Sequence, residues 1–158
     1  MIFSKICIAS DHAGYELKEK IKDYLIKTNI SIKDIGPLSL SSVDYPDYAK
    51  KVAKRVVLKR SDVGILVCGS GTGMAITANK YKDIRAAQCY NKKSTILSRQ
   101  HNNANIICLG SRMMKSKEAL IIIRVFLNTK FEGGRHQKRV SKINIWTKMI
   151  YIIFLTKI

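Results

Sequence analysis

Short apolar runs alternate along the chain with stretches whose apolar positions recur every three or four residues. Residues 5–10 (KICIAS) read as a strand, and Tyr15–Lys27 reads as a helix with Leu17, Ile21, Tyr24 and Leu25 on one face. Residues 30–35 read as a second strand. After a loop, Pro46 opens a helix through about Leu58, because proline suits a first helical turn. Val63–Cys68 (VGILVC) is a continuous apolar run and a third strand, followed by a glycine loop and a helix to about Lys80. Residues 84–89 (IRAAQC) and 106–109 (IICL) are the fourth and fifth strands. Lys92–Gln100 and residues 116–127 are helical, with Ser116 placed to cap the latter.

Strands alternating with helices in this way predict an α/β fold with a parallel sheet covered on both faces. Right-handed crossovers put every strand's C-terminal end on one edge, where open α/β sheets bind ligands. The residues that follow the strands therefore meet at one rim. They are Asp11-His12, then Cys68-Gly69-Ser70-Gly71-Thr72-Gly73, then Tyr90-Asn91, then Gly110-Ser111-Arg112.

The loop from Cys68 to Gly73 is the most informative segment. Its three alternate glycines allow backbone N–H groups to turn inward, and the following helix adds its positive end, so the loop suits an anion. It also reads as a plain tight turn. No Lys-Ser/Thr follows, so it is not a Walker loop, and Gly73 comes one position early for a dinucleotide fingerprint. Cys68 at its mouth sits where N–H dipoles favour a thiolate, which can abstract a carbon-bound proton or attack an electrophile. Asp11 reads both as a helix cap and as a polar site group. His101 reads both as a partner for a helix C-terminus and as a proton carrier. Arg135 and Arg139 lie four residues apart after two glycines; with Arg112 they suit phosphate, or form a solvated basic face.

Composition narrows the class. The chain has 158 residues, 46% hydrophobic and 25% charged, which is ordinary globular usage. A chain of this length buries roughly two thirds of its unfolded surface and needs no disulfide or metal for its core. The 29 Lys plus Arg against 11 Asp plus Glu give +18, which favours anionic partners. Lys18, Lys20, Lys22, Lys50, Lys51 and Lys54 are spread over the helices rather than gathered in one stripe, which argues against specific nucleic-acid binding. Cys7, Cys68, Cys89 and Cys108 make no C-x-x-C spacing and histidine is scarce, so no metal site is expected. Buried free thiols suit a reducing cytoplasm. The first apolar run is too short for a secretory signal, and no run reaches the length of a membrane span. Residues 144–158 (NIWTKMIYIIFLTKI) are almost wholly apolar. They read as an added helix, a pairing strand or an oligomer contact.

Several ordered motifs carry a family resemblance. They are Ser10-Asp11-His12-Ala13-Gly14, Asp44-Tyr45-Pro46-Asp47, Cys68 through Met74, Ala78-Asn79-Lys80, Arg85-Ala86-Ala87, Ser98-Arg99-Gln100-His101-Asn102, Leu109-Gly110-Ser111-Arg112 and Phe131-Glu132-Gly133-Gly134-Arg135-His136. Over about residues 3–143 the chain resembles type B ribose-5-phosphate isomerases, whose family includes galactose-6-phosphate isomerase subunits. The resemblance implies a Rossmann-like three-layer sandwich with a five-stranded parallel sheet, and no metal or organic cofactor. It implies one isomerase domain over 1–143, with 144–158 as a C-terminal extension. It further implies a homodimer or homotetramer with sites at the subunit interface and a sugar-phosphate substrate.

By the same resemblance, Cys68 is the base that moves a proton between C1 and C2. His101 opens the furanose, with Asp11 assisting at the hydroxyls. Gly69, Ser70, Gly71, Thr72 and Gly73 hold the enediolate oxygens, and Asn102 binds them or a neighbouring hydroxyl. Tyr45 lines the sugar pocket, and His12, Arg112, Arg135 and Arg139 grip the phosphate. Galactose 6-phosphate and allose 6-phosphate are the alternative substrates within the family. One branch places Glu where Met74 stands and lacks the thiol, so this chain goes with the cysteine branch. Ser70 replaces the more frequent Thr and keeps the hydroxyl.

Overall fold

A computed structural model describes residues 2–28 and 30–143. The expected tail, 144–158, lies outside the described residues. Five strands form one parallel sheet: β1 (Ile6–Ser10), β2 (Ile32–Asp34), β3 (Val63–Cys68), β4 (Ala86–Gln88) and β5 (Ile106–Gly110), in the order β2-β1-β3-β5-β4. The helices are α1 (Tyr15–Lys27), α2 (Tyr45–Val57), α3 (Thr72–Ala78), α4 (Lys92–Gln100), α5 (Ser116–Asn128) and α6 (Arg135–Ser141).

Period-two alternation splits the core into two layers. Ile6, Ile8, Val63, Ile65, Val67, Ile107 and Leu109 face one side, where α1 brings Leu17, Ile21 and Leu25 and α5 brings Ile122, Ile123 and Phe126. Cys7, Ala9, Leu66, Cys68, Ile106 and Cys108 face the other, against Ala49, Val52 and Val56 of α2 and Met74 and Ala78 of α3. The second layer is built largely from small strand residues, which leaves room for α2 and α3 to pack close.

The central strands match their apolar runs, while the edge strands are shorter than the sequence suggests. β2 and β4 each pair over three residues, because an edge strand has one neighbour and its flanks find no ladder partner. Ser116 is not a cap: Lys115 holds that position, and its N–H donates to the Glu118 carboxylate at 2.9 Å. Lys18 is not solvated. It is fully buried, and its ammonium donates to Asp34 Oδ2 at 2.9 Å and to the Pro37 carbonyl at 2.8 Å. That contact holds the loop that leads from β2 to Tyr45.

Candidate active site

Cys68 ends β3, and the turn after β5 fixes its loop. The Ser111 N–H donates to the Cys68 carbonyl at 2.8 Å, and the Arg112 N–H to the Gly69 carbonyl at 3.1 Å. Gln88 of β4 braces the far side, donating to the Ser70 carbonyl and to Thr72 Oγ1, both at 2.8 Å. Gly71 takes φ +85°, and a Cβ there would sit 3.0 Å from the Leu109 carbonyl carbon. In this conformation the Gly71 N–H donates to Cys68 Sγ at 3.0 Å, so a backbone dipole points at the sulfur. The Thr72 N–H donates to Ser70 Oγ at 3.2 Å. Burial pushes the Cys7, Cys89 and Cys108 thiols up, which keeps them protonated core groups.

Beside the thiol lies a cleft of about 350 Å³ lined by Asp11, His12, Tyr45, Gly69, Ser70, Gly73 and Arg112. Asp11 is buried, and its Oδ1 accepts the Gly14 N–H at 2.8 Å, so it closes the turn into α1 while facing the cleft. His12 Nδ1 accepts the Val43 N–H at 3.3 Å, which leaves Nε2 to carry a proton. The Tyr45 ring lies flush on the loop: a Cβ on Gly73 would come within 2.7 Å of it. Arg112 adds a guanidinium beside Gly69. The cleft thus joins a thiol under an N–H donor to a cationic rim. It suits proton transfer on a small substrate that carries an anionic group.

Four of the expected site residues lie elsewhere in the protomer. Asn102 lines a separate groove of about 310 Å³ with Asn79, Arg85 and Ile143. Arg135 and Arg139 are exposed on α6, one helical turn apart. His101 caps the C-terminus of α4, and its ring stacks on His136 at 4.1 Å between centroids and 5° between planes. Glu132 Oε2 lies 3.9 Å from His101 Nε2 and 3.7 Å from His136 Nε2. Gly71 and Thr72 shape the loop without lining the cleft.

Among the described residues, His101, Glu132 and His136 are the one group whose donor atoms converge as metal ligands do, within 4.8 Å of one another. Their geometry suits ring stacking better than a shared ion. Parallel rings aim their nitrogen lone pairs along separate planes, and Arg135 directs an N–H at His136 Nε2 from 3.5 Å.

The structure also reveals supporting residues that sequence reasoning did not assign. Besides Gln88 and Ser111, Arg99 is buried and donates to Thr129 O at 3.1 Å, Asn103 Oδ1 at 3.1 Å and Ala104 O at 2.5 Å, fixing the turn that carries His101. Glu132 and His136 lie inside a recognised motif, so their presence was visible and their partnership was not.

The Ribose/Galactose Isomerase family matches residues 6–143. A putative sugar phosphate isomerase of Rickettsia bellii is 49% identical over 138 residues, covering 87% of this chain and 96% of that protein. The crystal structure of a ribose 5-phosphate isomerase from Thermotoga maritima superposes with TM-score 0.88 at 51% identity, covering 89% of this chain and 97% of the other. A ribose-5-phosphate isomerase B from Mycoplasma genitalium with bound ribulose-5-phosphate has TM-score 0.86 at 43% identity, covering 90% and 95%. With its fold, its glycine loop and nearly its whole described length in agreement, this chain belongs to the ribose/galactose isomerase family.

Proposed function

We propose that this chain interconverts D-ribose 5-phosphate and D-ribulose 5-phosphate through a cis-enediolate. Family membership supports the reaction class. The observation that carries the mechanism is the seat of Cys68, where the Gly71 N–H meets the sulfur at 3.0 Å. The thiolate takes the C2 proton while the C1 carbonyl electrons move onto oxygen. A proton passes from the C2 hydroxyl to O1, and the thiol returns its proton to C1 as C2 becomes the ketone. The electrons stay within the sugar, so no redox partner enters the balance. N–H groups of Gly69–Gly73 and the Ser70 hydroxyl stabilise the developing enediolate. Tyr45 and Asp11 line the sugar, and His12 and Arg112 hold the phosphate, whose binding energy positions the reacting carbons.

The cleft of one protomer lacks a ring opener. His101, Asn102, Arg135 and Arg139 lie outside it, which supports a homodimer or homotetramer whose second copy supplies them. Residues 1–143 form the isomerase domain. Among the described residues no helix is long and apolar enough to cross a membrane. Four unpaired thiols fit a reducing cytoplasm.

Ketose formation from D-ribose 5-phosphate, without added metal, tests the reading. Cys68→Ala is expected to lower turnover at least ~100-fold with the fold intact. A folded wild type that forms no ribulose 5-phosphate overturns it.

A further inference from the structure

The two substrates differ in their need for ring opening. Ribose 5-phosphate closes its aldehyde onto the C4 hydroxyl. In ribulose 5-phosphate the C5 hydroxyl is esterified, so the C2 ketone has no hydroxyl that closes a five-membered ring and the sugar stays open. Only the aldose therefore needs a proton carrier at its ring oxygen.

We propose that Glu132 and His136 are positioning residues that hold the His101 ring in the orientation from which it opens the furanose. The proposal rests on the isomerase reading above. The Glu132 N–H donates to the Gln100 carbonyl at 3.1 Å, which pins the acid beside the end of α4. Its carboxylate then lies beside both rings, 3.9 Å from His101 Nε2 and 3.7 Å from His136 Nε2. The parallel His136 ring covers one face of His101 and fixes its tilt.

The pair is asymmetric. His136 is buried, while the His101 side chain is 36% exposed. Burial, then the neighbouring His101 and Arg135, lower His136 from the ordinary histidine value against the opposing Glu132 carboxylate, which favours its neutral form. The Arg135 N–H aimed at its Nε2 favours the same state. His101 is thus the ring that reaches solvent, with His136 backing its inner face.

The test separates ring opening from proton transfer. Wild type, Glu132→Gln and His136→Phe are compared in two assays. One follows ribulose 5-phosphate formation from ribose 5-phosphate. The other follows exchange of the C1 proton of ribulose 5-phosphate with D2O by NMR, which requires Cys68 and no ring opener. Both variants are expected to lose isomerisation by ~10-fold or more. Exchange is expected to stay within about twofold of wild type. Parallel loss of both activities marks a merely structural role and overturns the proposal, as does no loss at all. Glu132→Gln alters a half-exposed carboxylate and keeps the test open if His136→Phe fails to fold. A wild type inactive in both assays removes the isomerase reading itself. A fully active wild type with unchanged variants removes only this proposal.

Discussion

Cys68 differs from Cys7, Cys89 and Cys108 in its backbone contact and in lining the cleft. All four are buried and unpaired, yet only Cys68 among them receives the N–H of a glycine loop, and the others are core thiols pushed up by burial. That contact depends on Gly71 at φ +85°, a left-handed conformation that costs a residue with a Cβ about 1–2 kcal/mol. Gly71→Ala is therefore expected to lower the unfolding free energy by that amount and to reduce kcat more than KM, because the strained loop withdraws its N–H from the sulfur. Denaturant unfolding and steady-state kinetics check this together. Unchanged kcat would show that the contact does not serve the thiol.

At the scale of elements, the support of the site comes from buried cations. On α1, Lys18 and Lys22 converge on Asp34 of β2, and Glu19 closes the network. Burial alone would raise the Asp34 carboxyl. Hydrogen bonds from Lys18, the Gly36 N–H and Lys22 outweigh it and hold the group below the ordinary carboxylate range. A depressed carboxylate contributes stability that is complete above its ordinary value of 3.8 and is lost as pH falls through the lower folded value. Asp34→Asn is expected to cost about 2 kcal/mol at neutral pH, since it leaves the Lys18 ammonium short of an acceptor. It is also expected to flatten the acid limb of stability against pH. Thermal unfolding between neutral and strongly acid buffer reads both effects, and an acid limb as steep as wild type would assign it to other carboxylates. On α4, burial and then the charge of Arg85 lower Arg99 to about 10, and the rings of Phe3 and Phe126 help hold its guanidinium in place.

For the whole molecule, the proposed sharing of the site between two copies has a direct consequence. On that proposal, a Cys68→Ala chain and a His101→Asn chain each lack one half of every site in their own homo-oligomer. A mixed dimer restores one intact site out of two, so random mixing is expected to recover about a quarter of wild-type activity. Co-refolding the two inactive variants and measuring turnover tests this. No recovery would place both groups in one protomer's site. The +18 charge fits a phosphate substrate, but part of it is spent inside the fold, since Lys18 and Arg99 are buried structural cations.

Much of this was visible along the chain because it depends on local pattern. Apolar runs against helical periodicity set the order of strands and helices. The parallel sheet then followed from the connections, and the glycine loop after Cys68 marked the thiol that lies beside the cleft. Family motifs located the remaining polar groups. What escaped the sequence depends on partners distant in the chain. Lys18 looks like any surface lysine until Asp34, sixteen residues on, is folded against it. Arg99 takes its role from Ala104 and Thr129, and the length of β2 and β4 comes from having one neighbour each. Glu132, His136 and His101 read as separate polar residues until the backbone bond from Glu132 to Gln100 brings them together. Periodicity and backbone chemistry are short-range and can be read from one strand of text. Burial, ion pairing and ring stacking depend on which distant segments share a volume, and that is set when the chain packs.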